Sequence, residues 1–191
     1  YKSLVESLPA RTKWVNTTVF KPNLRHDLLK DNETITWLLE RFGDWDSTRD
    51  SKVNALVDLL TNDHPGEKVL VLTEYSDTAD YVADALTEAG VANVALATGD
   101  SENPAEIARR FSPNSNRLPS EDPSVPVAVE RPVDVLVATD VLSEGQNLQD
   151  SHIIVNYDLP WAIIRIIQRA GRVDRIGQKS NTVNLYLITH E

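Results

Sequence analysis

The 191 residues contain no cysteine and no methionine. Without cysteine there is no disulfide and no thiolate metal site, so the fold depends on no redox compartment. Without methionine no initiator is represented, and a chain beginning at Tyr1 is expected to be a piece of something longer. Apolar runs such as KVLVL and AIIRII fall far short of the roughly 20 residues of a membrane span. The first residues carry no secretory leader pattern. A soluble, cytoplasmic protein is the expectation. The four histidines, His26, His64, His152 and His190, lack metal-ligand spacing, and there is no Gly-x-Ser-x-Gly elbow. A phosphate-binding loop is missing too. GQKS at 177–180 puts Gln178 between glycine and lysine and follows a helical pattern instead of a strand.

What is present is a strand–helix alternation. Up to about residue 50 the pattern is mixed, and HDLLKDNETITWLLERFGDW suggests one or two short helices. DSTRDSKVNALVDLLTNDHPGE reads as an amphipathic helix stopped by Pro65-Gly66. KVLVLTEY is a nearly continuous apolar strand, of the kind buried on both faces of a parallel sheet. VANVALATG, VDVLVATD, HIIVNYDLP and VNLYLITH supply four more strands. DTADYVADALTEAG, ENPAEIARRFS and residues 161–177 are the helices between them. Right-handed crossovers then imply a three-layer α/β domain with a parallel sheet and helices on both faces. Residues 112–132 hold five of the ten prolines, so they cannot pair as a central strand. They are expected to form a mobile surface loop.

Charge is distributed unevenly. The formal net charge is −10, which argues against a general nucleic-acid coat. Yet residues 161–180 hold Arg165, Arg169, Arg172, Arg175 and Lys179 against Asp174 alone. On a helix the four arginines fall within an arc of about 120°. Ile163, Ile164, Ile166, Ile167, Ala170 and Val173 occupy the other side and are expected to pack on the sheet. A solvated face usually mixes signs, because like charges one turn apart repel. Arginine also offers a planar fork suited to phosphate. Gly171 within a helix costs about 1 kcal/mol relative to alanine, suggesting that something approaches the backbone there. A phosphate-rich ligand fits, either the phosphates of a nucleotide or a nucleic-acid backbone. VDVLVATD ends in Asp140 but no second acid follows, so no metal-binding acidic pair is formed.

QRAGRVDRIGQ at 168–178 resembles motif VI of the superfamily-two helicases, written Q-x-x-G-R-x-x-R, with RIGQ the Swi/Snf-type ending. ATDVLSEGQNLQ at 138–149 is similar to motif V, and KVLVLTEY at 68–75 to motif IV. ATGD at 97–100 matches the segment after the second strand, and DSKVNALVDLL at 50–60 the helix before motif IV. The chain thus resembles the second RecA-like lobe of a Swi/Snf-type ATPase of the RapA-like branch. The resemblance covers residues 50–191. Residues 1–49 are read as a helical connector or N-terminal extension, and residues 112–132 are longer than the resemblance requires.

The resemblance implies that a first lobe, outside this sequence, holds ATP with Mg2+, and that this lobe closes over it. Arg172 and Arg175 would be the arginine fingers, with Gln168 near the γ-phosphate. Such fingers contribute about 10³–10⁵ in rate. Arg169, Gly145 and Asn147 would contact the nucleotide, Asn147 near the ribose, although Arg169 and Arg165 are equally well read as salt-bridge partners of an acid. Thr139 and Ser143 would donate to nucleic-acid phosphates. Thr73, Glu74, Tyr75 and Gly99 stand between nucleic-acid contacts and simple turn formers. Implied partners are the first lobe, nucleic acid with duplex DNA expected, and a DNA-bound protein such as RNA polymerase. The lobe alone is expected to be inactive. Two alternatives stay open: a non-catalytic module docking an acidic partner through the basic helix, and a strand-separating helicase.

Overall fold

The computed structural model describes residues 15–43, 46–122, 124–140 and 146–189. The chain divides into two units, Tyr1–Trp45 and Asp46–Glu191. In the first, one 19-residue helix, α1, runs Leu24–Phe42 and ends at Gly43, whose φ of 71° stops the helix. One long helix therefore replaces the one or two short ones expected. Its apolar residues are too widely spaced in sequence for the pattern to reveal its length.

The second unit is built on five parallel strands: β1 Val69–Thr73, β2 Val94–Ala97, β3 Val135–Thr139, β4 Ile153–Asn156 and β5 Asn184–Leu187. Their spatial order is β2-β3-β1-β4-β5. β1 lies centrally, in register with β3 (Val71 opposite Val137) and β4 (Val71 opposite Val155). Every residue of β1 and β3 is buried, which is why both read as unbroken apolar runs. Edge strand β5 alternates half-buried and exposed residues.

Four helices are α2 Ser51–Asp58, α3 Ser76–Glu88, α4 Pro104–Phe111 and α5 Ile163–Ala170. The Asp50 carboxylate caps α2 by accepting from the Lys52 and Val53 N–H groups, and Asn103 caps α4 through the Glu106 N–H. Alternate residues of β1 sort the core into two layers. Val69 and Val71 join Leu56 of α2 and Val82 and Leu86 of α3. Leu70 and Leu72 join Ala108 and Phe111 of α4, with Leu148 and Val173. Helices thus cover both sheet faces, the three-layer α/β arrangement that the sequence predicts.

The segment 112–132 forms no helix or strand among its described residues. Its first half is nevertheless tied down. Arg109 bonds Glu121 at 2.7 Å, the Leu118 N–H donates to Glu121 at 2.8 Å, and residues 112–116 bond to 147–150. In residues 112–122 polar side chains thus supply the ties that apolar contacts, which the sequence lacks there, do not.

Candidate functional site

At the carboxyl edge of a parallel sheet the strands end and their loops open a crevice, the usual place for a ligand. Here β1 ends at Thr73-Glu74, β3 at Thr139-Asp140, and β4 is followed by Asp158. Three acids therefore stand along one edge, and α5 brings arginine to them. Arg169 is the hub. Its Nε donates to Asp140 Oδ1 at 2.9 Å, its Nη2 to Asp140 Oδ2 at 3.2 Å, and its Nη1 to Asn156 Oδ1 at 3.1 Å, with Asp158 at 3.7 Å. It is only 3 % exposed. A guanidinium buried this deeply tolerates desolvation because its fork is met bidentately by a carboxylate. Arg165, more exposed, lies 3.0 Å from Glu74 and 3.7 Å from Asp140. Asp158 in turn accepts from the Thr73 hydroxyl and from the Glu74 N–H at 3.0 Å.

Beside this network is a cleft of about 240 Å³ lined by Asp140, Arg165, Gln168, Arg169 and Arg172. Gln168 is exposed and Arg172 half-buried at its wall. Arg175 lies beyond the helix end. Its Nε donates to the Gly171 carbonyl at 3.0 Å and its Nη1 to Asn147 Oδ1 at 3.1 Å. The arrangement thus brings Gln168, Arg169 and Arg172 into one cleft and joins Arg175 to Asn147. Together these offer cationic and amide donors to an anion. Among the described residues no group of three or more His, Cys, Asp or Glu side chains could hold a metal ion.

Next to Asp158 in the chain, the Tyr157 carbonyl accepts from Lys52 of α2, whose amine lies 4.2 Å from the Tyr157 ring centroid. Burial pushes the Lys52 amine below its ordinary value, opposed by Asp158 and Asp50. Burial also raises the Tyr157 hydroxyl, and Asp50 adds to the shift.

Several expectations need correcting. α5 ends at Ala170, not at residue 177, and Gly171 is its C-cap with φ −62°. A Cβ at Gly171 would meet only the Gln168 and Ile167 carbonyl oxygens at 3.5 Å, an ordinary contact. Gly171 thus marks the end of the helix, and nothing among the described residues of the chain itself crowds it. The apolar side divides: Val173 is buried in the core and Ala170 packs against it, as expected, but the isoleucines do not. Ile163, Ile164 and Ile167 are exposed, at 74, 56 and 61 %, while Arg169 is the one buried residue of α5. At the start of this short helix, the polar anchors beyond the strand ends outweigh the isoleucines; at its end Ala170 and Val173 reach the core.

Thr73 is fully buried, and its hydroxyl is committed to Asp158. Glu74 is committed to Arg165. Tyr75 is exposed, and Gly99 is an exposed turn residue after β2. Thr139 is buried, and its hydroxyl has no hydrogen-bond partner among the described residues. Ser143 and Gly145 lie outside the described residues. Asn156 and Asp158 escaped sequence reasoning. The available signal was that strands ending in acids face a helix whose arginines need counter-charge.

A parallel sheet with this strand order and an arginine-bearing helix over its carboxyl edge defines a helicase second lobe. The chain belongs to the helicase conserved C-terminal domain family, whose pattern matches residues 51–177. Among its relatives, the uncharacterised ATP-dependent helicase YqhH of Bacillus subtilis is 30 % identical over 156 residues, covering 82 % of this chain and 24 % of that protein. The RNA polymerase-associated protein RapA of Pseudomonas savastanoi is 34 % identical over 140 residues, covering 72 % and 13 % respectively. The chain thus spans about a quarter or less of these relatives. Among solved structures, the C-terminal part of the Fun30 ATPase domain shares the fold with a TM-score of 0.56 at 17 % identity, over 85 % of this chain and 48 % of that one. The DEAD-box protein SrmB of E. coli, bound to the regulator of ribonuclease activity A, matches with a TM-score of 0.51 at 27 % identity, over 71 % and 70 %. No described helix is long and apolar enough to cross a membrane.

Proposed function

We propose that this chain is the second motor lobe of an ATP-dependent nucleic-acid translocase, acting on ATP held by a first lobe outside this sequence. The supporting observation is the cleft at the carboxyl edge, where Gln168 and Arg172 stand beside Arg165, Arg169 and Asp140. In this reading Arg172 and Arg175 stabilise charge on the transferring phosphoryl group, and Gln168 sits near the γ-phosphate. Arg169 acts at one remove: its fork is filled by Asp140 and Asn156, so it fixes α5. Asn147 lies against the nucleotide ribose, and Gly145 is read as a second residue for the nucleotide. Preorganised cations of this kind act most strongly once closure of the two lobes excludes water.

Duplex DNA is the proposed track, gripped through its phosphates from the loops that follow β1, β2 and β3. Tyr75 and Gly99 are exposed for that role. Thr139 and Ser143 complete the grip. Phosphate contacts position the protein without reading sequence. A DNA-bound protein such as RNA polymerase is the proposed target, and the cytoplasm the proposed location.

The isolated chain should hydrolyse no ATP, with or without DNA, while the full-length protein should turn it over faster when duplex DNA is added. ATP hydrolysis by the isolated chain would refute the division of labour between two lobes.

A further inference from the structure

The turn after α4 lies outside the segments that resemble helicase motifs, yet it is bonded to one of them. Eight hydrogen bonds join residues 112–116 to residues 147–150. The Asp150 carboxylate accepts from the N–H groups of Asn114 and Ser115 and from both their side chains. The Asp150 N–H donates to Ser112 Oγ at 2.9 Å. Asn116 then acts as a surrogate strand for the backbone of residue 147. Its Nδ2 donates to the Asn147 carbonyl at 2.6 Å, and its Oδ1 accepts from the Asn147 N–H at 3.4 Å.

This grip determines what Asn147 presents. The Asn147 Nδ2 donates to the Ser115 carbonyl at 3.2 Å, and its Oδ1 accepts from Arg175 Nη1 at 3.1 Å. A carbonyl can only accept and a guanidinium can only donate, so the amide has one satisfactory orientation. Arg175 is otherwise exposed, and a free arginine side chain has many rotamers to lose. The bonds to Asn147 and to the Gly171 carbonyl hold its fork in one place before any ligand arrives.

We propose that Asn116 is a positioning residue: the turn after α4 orients Asn147, and through it the Arg175 guanidinium. This rests on the reading of Arg175 as a finger. The beginning of the proline-rich segment then has a task in the chemistry, where its sequence suggested only a surface loop.

The test is a double-mutant cycle in the full-length protein, measuring single-turnover ATP hydrolysis, the KM for ATP and thermal unfolding. Asn116→Ala should lower the hydrolysis rate about tenfold, the value of the Asn147–Arg175 hydrogen bond that it supports, and leave KM within about twofold. In an Arg175→Ala background the residual rate should fall no further, because the group being positioned is gone. An equal fractional loss in both backgrounds, or none in either, overturns the proposal even when Arg175→Ala itself is nearly inactive. Normal hydrolysis by Arg175→Ala overturns instead the finger reading and the proposal with it. Should Asn116→Ala fail to fold, Asn116→Asp keeps the shape and the acceptor toward the Asn147 N–H. The same outcomes decide.

Discussion

Arg169 meets Asp140 with two nearly parallel hydrogen bonds, 2.9 and 3.2 Å long, from a side chain almost wholly removed from water. The pair links the end of β3 to α5, so the helix that carries Gln168 is referenced to the sheet by charge. Asp140→Ala removes the bidentate partner and leaves Arg169 only Asn156 and the more distant Asp158. Urea unfolding should show a loss of about 2–3 kcal/mol. Replacing both members, Asp140→Ala with Arg169→Met, should recover part of that loss, because no buried charge is left uncompensated.

The outward-facing isoleucines of α5 give a second prediction. Had the isoleucines packed on the sheet, truncating any one of them would cost about 2–5 kcal/mol. Since they face outward, Ile163→Ser and Ile167→Ser should each change the stability of this chain by no more than about 0.5 kcal/mol. A large loss in either would restore the orientation read from the sequence.

The apolar layer between α3 and the sheet should behave differently. Leu86 is fully buried among Val82, Val71 and Val137. Leu86→Ala should destabilise the chain by about 2–5 kcal/mol, read as a lower denaturation midpoint with an unchanged slope.

The tie on the proline-rich segment should respond to acid. The Leu118 N–H, and after it Arg109, hold the Glu121 carboxyl below its ordinary value of 4.5. The folded value is the depressed one, so the unfolded chain takes up the proton first as pH falls. The contribution is therefore full above about 4.5 and disappears as pH drops through the folded value. An NMR titration of Glu121 should show a midpoint below 4.5, moved upward by Arg109→Ala. A midpoint at or above 4.5 in the parent chain would contradict the arrangement.

The sheet was legible because β1 and β3 are buried on both faces and leave unbroken apolar runs, and because α3 repeats Ala79, Val82, Ala83 and Leu86 at helical spacing. The arginine cluster was legible as a concentration of one charge in an acidic chain. What periodicity could not supply was orientation. An eight-residue helix with isoleucines on one side and arginines on the other is amphipathic whichever side turns inward. Asp140, Asn156 and Asp158, brought together from separate strand ends, decide that in favour of Arg169. Asn116 was equally illegible, since Asn147, the residue it grips, lies 31 positions away in sequence and the contact is polar.

The account depends most on Arg172 and Arg175 acting on a nucleotide held elsewhere. The most direct measurement is ATP binding and ATP turnover, side by side, for the full-length protein carrying Arg172→Ala or Arg175→Ala. The account predicts binding within a few-fold of the parent and turnover reduced by about 10³ or more in each variant. Parent-like turnover in both would contradict it.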